Sequence, residues 1–148
     1  MVAHMAAAPV KKLIAALDSH LTGPPEVHFL APATNFKRSG LKEPTADTII
    51  VLLTMGYKPG TTTKALEGRK SLVEYCEANE SDTLSYAVME DKANNKVRTA
   101  EVYASESYVT DVHLKGSALK INQEQNGADR DGSRDAVRAK VVYGFLGR

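Results

Sequence analysis

Apolar residues recur at three- and four-residue spacing near the start of the chain. Val10, Leu13, Ile14, Leu17 and Leu21 fall on one stripe, and the spacing predicts a helix over residues 9–22. Pro9 suits its first turn, and Gly23 followed by Pro24 and Pro25 supplies a stop. The periodicity then lapses. The segment GPPEVHFLAPATNFKRSGLKEP holds four prolines and reads as an extended arm, with at most a short strand at 27–30. Its Phe29, Leu30 and Phe36 require a surface to pack on, either the main body or a partner chain.

From residue 48 the pattern turns regular. TIIVLLTM (48–55) is a continuous apolar run, which predicts a strand covered on both faces. YKPG breaks it, and Thr61 or Thr62 is placed to cap a helix reaching about residue 78, with Ala65, Leu66, Leu72, Val73 and Cys76 as its buried stripe. DTLSYAVME (82–90) and KVRTAEVYA (96–104) read as two strands joined by the turn DKANNK, where Asn94 and Asn95 tolerate left-handed geometry. Ser105 caps a further helix with Glu106 in its first turn. A second helical stretch runs from Ser117 to about Gln125, NGADRDGSRD is a polar loop, and residues 136–147 close as a last strand. The order β-α-β-β-α-β is that of a ferredoxin-like α+β unit with an antiparallel sheet. Residues 1–47 then form an N-terminal helix and arm, and residues 48–148 the main domain. Helices cover one sheet face. The other is too apolar to face water, so a homodimer packed sheet on sheet is expected.

Composition narrows the possible partners. The 148 residues carry a net charge of +1, without the basic excess a nucleic-acid partner calls for. No apolar run is long enough to span a membrane, and the first twenty residues lack the features of a signal peptide. The one cysteine, Cys76, cannot form an internal bridge, so a cytoplasmic, reducing setting is expected. ADRDGSRD lacks the glycine spacing and terminal glutamate of a calcium loop, no Cys or His pair has zinc spacing, and no phosphate loop follows a strand. Neither a metal nor a cofactor is expected.

Pro59-Gly60 after the first strand of the main domain, Tyr86, Glu101 with Tyr103, and His113 carry a likeness to a known family. Over residues 48 to about 146 the chain resembles the antibiotic biosynthesis monooxygenase family, of the dimeric α/β-barrel superfamily. Tyr103 stands where that family usually has Trp, and His113 lies one residue further from Glu101 than usual, which implies an insertion in ASESYVTD. The resemblance implies a homodimer with a pocket between sheet and helices. It also implies oxidation of small aromatic or polyketide-type substrates by dioxygen without metal or flavin. Other members isomerise, or degrade haem with the help of a Trp that this chain lacks.

Several residues suit such chemistry. His113, beside Val109 and Val112, is placed for acid–base work, or for packing near a helix end. Thr99, Glu101 and Tyr103 share one strand face, with the small residues Ala100, Val102 and Ala104 on the other, the face expected to meet the helices. Glu101 reads as a base, or as the ion-pair partner of Arg98, Arg138 or Lys140. Tyr86 and Tyr103 read as donors to a phenolic substrate, or as core. Arg69 and Arg98 are candidates for an anionic substrate. Cys76 reads as inert core, and His28 as a surface residue or a cap on the pocket mouth. A non-oxidative isomerase or cyclase, and a non-catalytic binding or dimerisation module, remain as alternatives.

Overall fold

The first apolar stripe folds as a helix, α1 (Ala8–Leu17), but none of its residues is buried. The computed structural model describes residues 5–17, 20–24, 26–39 and 44–142. Helix α1 ends well short of residue 22, and Leu21 lies beyond it. The arm's strand is β1 (Ala31–Lys37), further along than the expected 27–30. Phe36 is buried there, while Phe29 stays 72% exposed. Pro32 is tolerated because β1 is an edge strand, bulged between Pro32 and Thr34.

The main domain runs β2 (Ile49–Tyr57), α2 (Thr62–Asn79), β3 (Thr83–Asp91) and β4 (Lys96–Tyr103). It continues with a short helix α3 (Glu106–Tyr108), α4 (Ser117–Asn126) and β5 (Arg130–Lys140). All sheet pairings are antiparallel, in the order β1-β3-β4-β2-β5. This is the ferredoxin-like order with β1 added at the β3 edge, and the sheet does not close into a barrel. Asn95 takes the left-handed turn position, at φ 52°. Thr61 sits at the N-cap of α2 without capping through its side chain. Its hydroxyl donates instead to the Lys58 carbonyl at 2.8 Å.

Strand β5 begins six residues earlier than expected, so the second half of the polar segment read as a loop is strand, paired with β2 at Arg130, Arg134 and Asp135 around a bulge. Polar composition misled here because edge strands need little apolar surface. Residues 143–148, which include the end of the expected last strand, lie outside the described residues. Strand β2 is covered on one face only. Ile49, Val51 and Met55 are buried, whereas Leu52 is 48% exposed. A continuous apolar run marks a strand without saying that both faces are covered within one chain.

The buried face is the one the helices cover. Ala65, Leu72, Val73 and Cys76 of α2 pack on Met55, Tyr86, Val88 and Val97. Helix α4 lies beside α2, where Gly68 leaves room for the Asn126 and Asn122 amides; a Cβ there would meet them at 2.2 and 3.0 Å. At the other end of α2, Arg38 reaches from just beyond β1. Its guanidinium donates to the carbonyls of Cys76, Glu77, Glu80 and Thr83 at 2.8–3.1 Å. A helix C-terminus leaves carbonyls without intrahelical partners, and Arg38 satisfies them from outside.

Candidate active site

The Ser105 hydroxyl accepts the Tyr108 N–H at 3.2 Å and turns the chain back over the sheet. After α3 the backbone widens into a π turn, Val109–His113, in which the Leu114 N–H bonds to the Val109 carbonyl five residues back at 2.9 Å. Such wide turns recur at functional sites because they re-aim a side chain. Here the turn carries His113 inward to 3% exposure, while Val112 remains 44% exposed.

The His113 Nδ1 lies 2.8 Å from Glu80 Oε2, which also accepts the Thr83 hydroxyl at 2.7 Å. Burial pushes the Glu80 carboxyl upward, but the bonds from His113 and Thr83, with the His113 charge, outweigh it and hold the group below its ordinary 4.5. An ionised acceptor at Nδ1 fixes the tautomer and leaves Nε2 as the nitrogen available for proton transfer. The linkage follows from the lowered value. The unfolded chain takes up this proton first, so the stabilisation is complete above about pH 4.5 and fades as pH falls through the folded value. Urea unfolding should therefore show wild type more stable than Glu80→Gln at about pH 6, with the gap narrowing by about pH 3.5. A constant gap would remove Glu80 from the titration.

Sheet register brings the second cluster to the same side. Tyr86, Glu101, Val51 and Arg138 stand opposite one another across β3, β4, β2 and β5. Glu101 accepts the Thr99 hydroxyl at 2.6 Å and the Tyr103 hydroxyl at 2.7 Å. The Tyr103 ring lies 5.0 Å from His113 and the Tyr86 ring 6.0 Å from it, centroid to centroid. Burial first, then the Glu101 charge, pushes both tyrosines far above their ordinary range, so they serve as neutral hydrogen-bonding groups.

His113, Glu101, Tyr86 and Arg69 line one cavity of about 250 Å³ between sheet and helices, with apolar wall from Val51, Leu53, Val109 and Leu119. Val97, Thr99, Glu101 and Tyr103 are the buried side of β4, so this polar row meets the helices, against the expectation that the Ala100 face would. Helix α2 covers that row with Arg69 and Cys76 as well as apolar residues, which is why it accepts polar neighbours. Thr99 and Tyr103 sit behind the cavity wall as Glu101's donors. Arg98 is on the opposite sheet face, bonded to Asp91 at 3.1–3.2 Å, and does not reach the cavity. Its even position in a period-two strand puts it there. Glu101 is not in an ion pair with Arg98 or Arg138, and Arg138 pairs with Glu106 at 3.3 Å. His28 pairs with Glu26 and Asp91 at the far end of the sheet.

Glu80, Arg130 and Arg134 were not anticipated from the pattern. Glu80 lies four residues after Cys76 and continues the buried stripe of α2, a carboxylate where an apolar side chain would be expected. Arg130, Arg134 and Arg138 recur at four-residue spacing, which puts them on one face of a strand. Cys76 Sγ lies 3.9 Å from His113 Nδ1, and with Glu80 the three donor atoms are close enough to meet one divalent ion. Burial, then the neighbouring Glu80, pushes the Cys76 thiol upward, so it sits here as a neutral thiol.

The fold and site define a ferredoxin-like α+β protein with a histidine, held from behind by a buried carboxylate, on the wall of a partly apolar cavity. No protein-family model matches the chain, and no curated protein does. Among solved structures, it is similar to a "putative monooxygenase" from Fusobacterium nucleatum, with a TM-score of 0.82 and 19% identity over 96% of this chain and 64% of that one. A "putative monooxygenase" from Lactobacillus acidophilus gives a TM-score of 0.71 at 19% identity, over 91% and 62%. A "putative antibiotic biosynthesis monooxygenase" from Caulobacter crescentus gives 0.61 at 20%, over 66% and 92%. The chain thus spans less than two thirds of the first two proteins. At these identities the likeness is one of fold, and the fold is the one found in structures named for antibiotic biosynthesis monooxygenases. Among the described residues, no helix is long and apolar enough to cross a membrane.

Proposed function

We propose that the chain is a cofactor-independent monooxygenase-like enzyme acting on a small aromatic or polyketide-type substrate, with His113 as its acid–base group. One observation carries this reading: the Glu80–His113 pair is buried, yet His113 forms part of the cavity wall. Nε2 takes the phenolic proton, and the substrate anion passes an electron to dioxygen. Recombination and loss of water leave one oxygen atom in the product as a carbonyl, the other in water. The substrate supplies every electron, so no external reductant enters. Apolar wall from Val51 and Val109 keeps the anion reactive by limiting water. Tyr86 and Glu101 hold the ring. A cytoplasmic setting accords with the lone buried thiol.

Oxygen uptake with hydroxylated polycyclic aromatics, before and after dialysis against a chelator, tests this. Substrate-dependent uptake that survives chelation is the expected result. Turnover without oxygen uptake would assign an isomerase of the same fold, and no turnover of any such compound would leave a binding module.

The reading includes a homodimer. The uncovered sheet face carries Leu52 and Val137, 48% and 49% exposed, with Ile50 beside them. Sedimentation at micromolar concentration should show a dimer, and Leu52→Glu with Val137→Glu should yield a monomer that keeps its fold. A wild-type monomer under the same conditions would end this part of the proposal.

A further inference from the structure

We infer that the cavity selects a ligand with a permanently anionic group, a carboxylate or phosphate, clasped by Arg69 on the inside and by the β5 arginines at the mouth. This rests on the cavity being the substrate site and adds a charge requirement to it. Arg69 is 1% exposed. Its Nη2 meets the Met55 thioether at 2.6 Å, its Nε and Nη1 make no hydrogen bond of good geometry among the described residues, and the Tyr57 hydroxyl, equally without such a partner, lies beside it. A guanidinium carries five N–H donors in a planar fork, and a thioether is a weak acceptor. A buried charge left this way is unfavourable unless an oxyanion completes it. Burial acts to lower its pKa, but its polar surroundings, the Glu101 carboxylate among them, more than offset this, so Arg69 stays charged.

Strand β5 supplies a second, independent observation. Arg130, Arg134 and Arg138 all line the cavity, and Arg130 Nε is another buried donor without a partner among the described residues. The bulge between Met55 and Tyr57 in the β2–β5 pairing preserves this: Arg134 stands opposite Met55 and Arg130 opposite Tyr57, both on the helix-covered face. Against four guanidinium groups the wall offers one carboxylate, Glu101, and both of its oxygens are already engaged. Arg138 has Glu106 for a partner, but Arg69, Arg130 and Arg134 have no such ion pair among the described residues. Apolar Leu53 and Leu119 lie on the same wall, which suits a ligand with an aromatic body and a charged end.

Calorimetric titration with isosteric probes tests the inference. Benzoate or phenyl phosphate should bind roughly tenfold or more tightly than benzamide, since a hydrogen-bonded charge is worth at least that factor. Binding of only one of the two anions would identify which group the site takes. Arg69→Met should bring the bound anion down to the affinity of benzamide while thermal unfolding shows the fold retained. If that variant fails to fold, Arg134→Gln with Arg138→Gln, both at exposed positions, should weaken the anion several-fold and leave benzamide unchanged. Equal affinity of anion and amide in the unaltered protein, or no anion binding at millimolar concentration, overturns the inference. So does a preference that persists in the folded Arg69→Met protein or, where that variant fails to fold, in the double variant. His113→Gln separates the two proposals: it should lose turnover yet keep the anion preference.

Discussion

His113→Ala should lower turnover by about 10²-fold or more, the loss expected when a positioned general base is removed. The variant also opens space beside Tyr86 and Tyr103, so added imidazole should restore part of the rate. Glu80→Gln should fall less, because the imidazole remains while losing the charge that holds its tautomer. Its kcat–pH profile should shift, which a purely structural role would not produce. Full activity in His113→Ala would return the histidine to packing, and the site would need another base.

Glu80→Ala should unfold at a markedly lower temperature. The carboxylate is 5% exposed and serves two buried donors, His113 Nδ1–H and the Thr83 hydroxyl. Each stranded donor costs about 1–3 kcal/mol, so the variant should lose roughly 2–6 kcal/mol. The Glu80 backbone carbonyl still receives Arg38, so that contact survives the substitution. Chemical denaturation near neutral pH measures the difference. A loss under about 1 kcal/mol would mean that water replaces the carboxylate, and the pair would not be the buried device described here.

Strands β2, β3 and β4 were readable because their apolar patterns and the turn residues between them agree. Asn95 takes the turn and Ser105 caps α3, each for the reason its side chain suggests. The ends of the chain were less readable. Helix α1 has the periodicity of a packed helix but buries none of its residues, and no local signal reports that. Strand β5 hid in polar sequence because its work is done by arginines rather than by apolar side chains. In the site, the sequence places Glu101 and His113 at similar depth beside one pocket, and the cavity holds both, but the route between them was misread. The expected assignment of the Ala100 face to the helices would have kept Glu101 and His113 apart. Polar residues facing a helix layer follow from Arg69 on α2 and Glu80 just past its end, two polar positions on an otherwise apolar stripe. Arg98 failed for the reverse reason. It has the right chemistry on the wrong face, and strand parity alone was enough to separate it from Glu101.

The grip of Arg38 on the end of α2 decides where this protein can be cut. A chain begun at Thr48 would keep every residue of the ferredoxin-like unit and every cavity residue, and by family likeness it would look complete. It would nonetheless lose the clamp on the carbonyls of Cys76, Glu77 and Glu80, the turn from which the carboxylate reaches His113. It would also leave β3 with an unpaired edge along Ser85 to Glu90, open to association with other chains. Boundaries drawn by likeness of fold would therefore pass through the support of the Glu80–His113 pair, and a shortened protein that proved inert and prone to aggregate would say nothing against the chemistry proposed for the whole one.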